Sequence, residues 1–356
     1  MHTRNIISNG VLWLLFGVLG CFVTISFFVY GLPSLRGELS VALYADTHTY
    51  EDAATGRIYV PELISTTSNL FGPVLIFDAL GHNRVAVFFF NLAVAAVGIY
   101  YLTTRENIMR VRLFFLLSTS SVFIFSFYGV NKEILIFTVS IMVYLFVRTN
   151  IFTYIAVALV LSIFIRWQMT IFCVLILIFW TVPIIKKNRK FSIIGLLASF
   201  SLVIGDGTQG ALAHVNEVAD LGSIAESGSG ASGLFSLMLG IQNSYGYIII
   251  FIPKTAMLLF GLIARFDLSR VADDFWNYFV IMFQSIQNLL VFGYLFMKGK
   301  IRLENDIFFI MIIYCALFSI TPIFGPRYLY PVSIWAILSC CKIEDFLVQN
   351  KSLKSE

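Results

Sequence analysis

Charge is scarce in this chain. Only 12% of its 356 residues are Asp, Glu, Lys or Arg, against roughly 25% in soluble domains. It also lacks any polar stretch long enough to make a soluble domain, because apolar runs fill nearly its whole length. With 59% apolar residues and a mean hydropathy of +0.88, the composition points to an integral membrane protein built as one membrane domain, 1–356. The five cysteines (Cys21, Cys173, Cys315, Cys340 and Cys341) lie in or at the ends of apolar runs and form no CxxC or Cys/His cluster. That spacing excludes a zinc site and reads them as small core residues. No heptads, low-complexity tract or internal repeat stand out. The net charge of +4 is modest and its basic residues gather in short loops, a topology signal rather than a nucleic-acid footprint. The apolar run 10–32 has no small-x-small cleavage pattern, so it reads as a retained first span.

What is present is a succession of apolar runs separated by charged breaks. Basic clusters at Arg105/Arg110/Arg112, Arg148, Lys186–Lys190 and Lys298/Lys300/Arg302 mark cytoplasmic loops under the positive-inside rule. Counting the runs between them predicts an all-α, polytopic protein with about ten to twelve transmembrane helices and both termini cytoplasmic. Two long loops, 33–83 and 206–232, then lie outside. In the first, residues 71–81 are too short to cross a core of about 30 Å at 1.5 Å per residue and predict a half-helix or interfacial turn. The second, rich in Gly, Ser and Ala, suits a lid or spacer.

With that topology the conspicuous polar residues fall at the outer ends of spans: Asp46, His48, Glu51, Asp52, Lys132, Glu133, Arg166, Gln168, Arg265, Asp273, Asp274 and Arg327. A charge at the edge of hydrocarbon is costly unless it snorkels, pairs or lines water, so the gathering predicts an aqueous cleft on that face. Plainer readings stand beside this one. Lys132 and Glu133 can cap a helix start, Arg166 can snorkel, and His48 can be a solvated loop residue. The 45–54 stretch can be a helix-starting turn with Thr49 as N-cap and Asp52 three residues on. In the functional alternative Asp46 or Asp52, with Glu51 a third candidate, takes a proton from a sugar hydroxyl. Arginines opposite then hold a leaving diphosphate by paired hydrogen bonds. Tyr50, Lys132, Arg166, Gln168, Lys254, Arg327 and Tyr328, with His48, line the substrate side of that expectation.

Asp46 followed by Tyr50 and then Ala53-Ala54, in the first outer loop, resembles the first-loop signature of the GT-C superfamily of polyprenyl-phosphate-dependent glycosyltransferases. Arg327-Tyr328-Leu329-Tyr330-Pro331 is similar to the Arg-Tyr-x-x-Pro found near the end of those membrane domains. The Asn131-Lys132-Glu133 break, the Arg166 turn and the absence of a soluble domain look more like O-antigen and capsule repeat-unit polymerases. Unlike the paired Asp-Glu of many GT-C enzymes, Asp46 is followed by Thr47, so the identity of the base stays open. The resemblance implies GT-C-like architecture and a bacterial inner-membrane enzyme that transfers sugars between polyprenyl-phosphate- or polyprenyl-diphosphate-linked partners, with no metal or other cofactor. Its partners would be lipid-linked glycans, membrane lipids and other polysaccharide-assembly proteins, and not nucleic acid. A flippase for lipid-linked sugars or another transporter is the alternative.

Overall fold

The computed structural model describes residues 2–34, 41–58, 70–207, 237–261, 275–320 and 326–343. These are all-helical, with no strand among them. In chain order the helices are α1 (His2–Val29), α2 (Val41–Ala54), α3 (Phe71–Ala79), α4 (Arg84–Arg105), α5 (Arg110–Ser118), α6 (Ser121–Phe125), α7 (Glu133–Thr149), α8 (Phe152–Ile163), α9 (Trp167–Thr181), α10 (Pro183–Lys187) and α11 (Arg189–Gly207). A π-helical turn (Gln242–Gly246) leads into α12 (Tyr247–Phe260). Then come α13 (Phe275–Met297), α14 (Asp306–Phe318), a 3₁₀ turn (Pro326–Leu329) and α15 (Tyr330–Cys341).

Three of these helices are long and apolar enough to cross a membrane, at Gly10–Val29, Arg84–Arg105 and Phe279–Met297. Most of the others are shorter, so that among the described residues helix length and apolarity support three crossings rather than the ten to twelve expected from the apolar runs. Residues 113–129, one of the apolar runs expected to cross as a single span, show why: they are broken into α5 and α6 at Thr119-Ser120. There the Ser120 hydroxyl accepts the Phe123 amide at the start of α6, a local cap that stops the run from continuing.

The burial pattern has two zones. Every residue of α15 is buried, and so is nearly all of α7 and α14, the pattern of helices with apolar residues all round. Around them, α1, α4, α12 and α13 expose large apolar side chains such as Leu14, Phe22, Val97, Ile252, Leu290 and Phe296. A soluble monomer rarely shows so much contiguous apolar surface, so this exterior fits a lipid environment.

The basic clusters, scattered in sequence, meet at one end of the molecule. Arg112 donates to the Cys340 carbonyl (2.9 Å) and the Tyr294 hydroxyl (3.1 Å), and Lys300 to the Ser339 carbonyl (2.9 Å). These cations satisfy carbonyls left open at the C-terminus of α15 and face its negative dipole end. A backbone bridge between Ile108 and Lys342 fastens the same corner. Arg148 lies 3.7 Å from Glu106, and Arg189 reaches Asp306 at 2.5 Å and the Leu303 carbonyl at 2.9 Å. Glu133, Arg166 and Arg327 begin or precede α7, α9 and α15, whose other ends carry these basic contacts. They therefore lie at the opposite end.

Two local expectations on the 33–83 segment come out differently. Thr49 is not an N-cap: α2 starts at Val41 and carries Thr49 well inside it. The reason is tertiary, since Thr47, Tyr50 and Ala53, at helical spacing, bury one face and the Thr47 hydroxyl donates to the Val130 carbonyl at 3.0 Å. That seating overrides the local capping signal. Residues 71–81 do form the expected short helix, α3. Its Gly72 lies against the end of α8, where an added Cβ would overlap the Phe164 carbonyl oxygen. Backbone so close has no rotamer by which to yield, so Gly72→Ala is expected to lower the melting temperature of the detergent-purified protein by on the order of 5 °C. A melting temperature within a degree of wild type would show that the α3–α8 contact is looser than this.

Candidate functional site

The opposite end from the basic clusters is organised by a set of turns. Asn91 of α4, buried, donates to the carbonyls of Ser126 (3.2 Å), Phe127 (3.3 Å) and Gly129 (3.1 Å). Asn131 donates to the Ser126 and Gly129 carbonyls, both at 2.9 Å, and accepts the Glu133 amide at 3.1 Å. Two asparagines therefore tie down the 126–131 turn and fix where α7 begins. Lys132, buried, precedes the helix, and Glu133 opens it in the position that favours an anion.

Arg166 occupies the break between α8 and α9. Its residue is 5% exposed. Its guanidinium lies 5.7 Å from the Phe318 ring centre and 5.6 Å from that of Tyr328, while its Nε makes no hydrogen bond among the described residues. No carboxylate among them forms an ion pair with it. The Tyr328 ring also carries Arg327, whose guanidinium carbon is 5.8 Å from the same centroid. Arg327 Nε stands 3.4 Å from Glu133 Oε1. Two guanidiniums thus share one aromatic ring, and one of them has a buried carboxylate beside it.

The wall behind them is aromatic. The Tyr314 ring stacks on Phe318 at 4.0 Å and meets Trp335 edge-on at 5.5 Å. Its hydroxyl donates to the Tyr328 carbonyl at 3.1 Å, holding the 3₁₀ turn that presents Arg327. The Oε1 of Gln168 and the hydroxyl of Tyr330 are buried there without a hydrogen-bond partner among the described residues. Tyr330 also lies within electrostatic range of Glu133. Orphaned polar atoms are uncommon in packed interiors, and this corner holds several.

Lys254 is fully buried on α12. Its Nζ donates to Gln242 Oε1 at 2.6 Å and lies 3.4 Å from the Ile320 carbonyl. Gln242, in the π-helical turn, donates to that same carbonyl at 2.9 Å. Lys254 therefore joins the broken helix at Gln242–Gly246 to the end of α14, two residues beyond Phe318.

The 45–54 stretch makes a second polar group, next to the first. α2 sits on Val130, three residues before Glu133. Glu51 is held by Arg84 in a two-pronged ion pair at 2.5 and 2.6 Å, their side chains 15% and 12% exposed. Asp52 is 40% exposed and pairs with Arg57 at 3.0 Å. His48 Nδ1 is 3.8 Å from Glu51 Oε2. These residues, with His82, border an open hollow of about 730 Å³. Tyr50 points away from it into a buried cluster with Phe77, Val87 and Val130. The backbone of Asp46 belongs to α2, but its side chain lies outside the described residues, as do Arg265, Asp273, Asp274 and residues 208–232 of the second long loop.

Of the residues singled out from sequence, Arg166, Arg327 and Tyr328 converge directly, with Gln168 two residues on from Arg166 in the first turn of α9 and Lys254 behind the Phe318 side. Glu51, Asp52, His48 and Tyr50 form the separate α2 group. The sequence placed Glu133 among the outer-end charges of the expected cleft, with helix capping as its plainer reading and no catalytic or binding role, and it gave Tyr330 and Gln242 no role at the site. The Tyr at the fourth position of Arg327-Tyr328-Leu329-Tyr330-Pro331 was the available signal for Tyr330, whereas nothing local announces the contact between Glu133 and Arg327. Among the described residues no group of three or more His, Cys, Asp or Glu could hold a metal ion. The family models hold no match to this chain, and neither the curated proteins nor the solved structures contain one.

Proposed function

We propose that this chain is a multi-pass enzyme of the bacterial inner membrane, of GT-C-like architecture, that transfers glycan between polyprenyl-linked substrates at the membrane face opposite its basic end, most specifically as a polysaccharide repeat-unit polymerase. The observation that carries the reading is Arg166. Arg166 forms no ion pair among the described residues; a buried guanidinium so placed costs several kcal/mol of desolvation, and two aromatic rings return only about 0.5–2 kcal/mol each. Such an arrangement makes sense where an anion arrives to complete it. Arg327, against the same ring, supplies a second donor fork, and two forks match a diphosphate.

In this mechanism Arg166 and Arg327, assisted by Gln168 and Lys254, hold the diphosphate of the lipid-linked donor and neutralise the charge that grows on it as the bond to the sugar breaks. No metal or other cofactor takes part. The acceptor sugar enters from the side of α2. Glu51 is already committed to Arg84, which leaves Asp46 and Asp52 as the candidates that α2 itself offers for the base. An apolar hollow of about 440 Å³ between α1, α6 and α13, lined by Leu19, Phe22, Phe125, Tyr128 and Phe283, suits an isoprenoid chain. Lipid-linked glycans and membrane lipids are then the partners, alongside other polysaccharide-assembly proteins.

The test is the length distribution of surface polysaccharide in a strain lacking the gene. Loss of long chains with single repeat units still exported is the expected result. Cytoplasmic accumulation of lipid-linked units would favour a flippase instead, the second reading. That reading draws on the π-helical turn, Pro253 inside α12 and buried Lys254, since broken helices at membrane depth are common where transporters bind cargo. Unchanged polysaccharide would sink both.

A further inference from the structure

Among the described residues, the carboxylate beside the two guanidiniums is on α7 and not on α2. Glu51 is locked to Arg84, and Asp52 is exposed and paired with Arg57. Glu133 is buried beside Arg327, with its Oε1 3.4 Å from Arg327 Nε but outside hydrogen-bonding geometry, so that this oxygen makes no hydrogen bond among the described residues. The Tyr330 hydroxyl, in the same corner, is buried and likewise without a partner. A buried carboxylate oxygen left without a donor carries a desolvation penalty. The rigid 126–131 turn holds it there, through the Asn131 contact to its own amide. The position is that of a group waiting for a proton donor.

We infer that Glu133 is the proton acceptor of the transfer reaction, held in check by Arg327 until the donor's diphosphate arrives. The inference rests on the glycosyl-transfer reading above. In the resting protein Arg327 neutralises Glu133. When the diphosphate binds, it competes for Arg327 and, with Arg166, forms the stronger charge-assisted contacts. Glu133 is thereby released from its counter-charge and becomes the more effective base. The acceptor hydroxyl oxygen then attacks the anomeric carbon of the donor sugar. The bond from that carbon to the diphosphate oxygen breaks, its electron pair staying on the diphosphate between the two arginines. The hydroxyl proton passes to Glu133, which becomes a neutral carboxylic acid and later returns the proton to water. One glycosidic bond forms, one glycosyl–phosphate bond breaks, and no redox partner is needed.

The experiment uses the full chain in native membranes, with lipid-linked units extracted from the gene-deleted strain as substrate, and compares wild type with Glu133→Gln and Glu133→Asp. Gln keeps the shape and removes the base. The expected result is a fall in kcat of about 10²- to 10⁴-fold with KM unchanged or lower, because Arg327 is no longer held back from the diphosphate. Asp, a carboxylate on a shorter arm, is expected to retain more activity than Gln. A Glu133→Gln enzyme with wild-type kcat, or one whose KM rises while kcat is kept, overturns the assignment, since a carboxylate that only positions Arg327 would act on binding. Should Glu133→Gln fail to accumulate in the membrane, Glu133→Asp decides: a lowered kcat at constant KM supports the role, and an unchanged kcat or a change in KM alone overturns it. Wild-type membranes that form no polymer from these units overturn the glycosyl-transfer reading and this inference with it, whereas active wild type and active Glu133→Gln overturn the inference alone.

Discussion

Arg166→Met is expected to abolish long-chain product, with polymer formation falling by about 10²- to 10³-fold, while leaving the folded protein no less stable than wild type. The two halves of this result have separate causes. A donor that neutralises charge developing in the transition state contributes roughly 10²- to 10³-fold to rate, and Arg166 Nε is buried with no hydrogen-bond partner among the described residues to occupy it otherwise. Methionine fills similar space without a charge. Replacing under-compensated buried ions by apolar residues of like volume is often neutral or stabilising by about 1–4 kcal/mol. The measurements are chain-length analysis of surface polysaccharide and thermal unfolding of the purified protein. A melting temperature that drops with activity intact would make Arg166 a structural residue held by Phe318 and Tyr328, and the anion site would have to be given up.

Glu51→Ala should behave in the reverse manner, destabilising first and affecting activity only as a consequence. Glu51 and Arg84 meet through two short contacts at low exposure, and Arg84 Nη1 also lies 3.3 Å from the Leu32 carbonyl beyond the end of α1. Arg84 is the first residue of α4, so the pair joins α1, α2 and α4 at one point. Breaking a buried pair by removing one partner costs about 3–5 kcal/mol. With the side chains partly solvated, about 2–3 kcal/mol is expected here. A double-mutant cycle with Arg84→Ala measures it directly. The double variant should lose less than the two single losses added together, with a coupling between about 1 and 3 kcal/mol. Additive losses, or a Glu51→Ala protein of full stability that makes no polymer, would return Glu51 to the list of reacting carboxylates.

These expectations show where the sequence was informative. In a chain with so few charges, each one at the end of an apolar run is forced toward water, a ligand or another charge. That constraint is why Arg166 and Arg327, some 160 residues apart, fall in one group on sequence alone, and why the basic clusters are assigned to one end. The α2 helix was less legible: its start depends on Thr47 finding the Val130 carbonyl and Tyr50 finding Phe77 and Val87 across the fold, and no local pattern encodes those meetings. The break at Thr119-Ser120 did carry a signal: Ser118-Thr119-Ser120-Ser121 puts four hydroxyl residues in the middle of the apolar run 113–129, side chains that compete with the helix for its backbone hydrogen bonds. Glu133 illustrates the hardest case. Its local signal, an acid at a helix start, is sufficient by itself, and its place among a dozen outer-end polar residues does not single out Arg327 as its partner.

The fastening of α15 bears on how the protein is made. This helix is buried on every side, packed against α5, α7, α13 and α14, and clasped at its end by Arg112, Lys300 and the Ile108–Lys342 bridge. During synthesis it emerges after every one of those neighbours. Until then the groove it fills stays open, and Arg112 and Lys300 have no helix end to hold. Assembly therefore passes through a stage in which a nearly complete bundle lacks its central post. In that interval unfilled apolar surface is exposed to chaperones and quality-control proteases, so ribosome stalling within the last segment is more hazardous to this protein than stalling earlier.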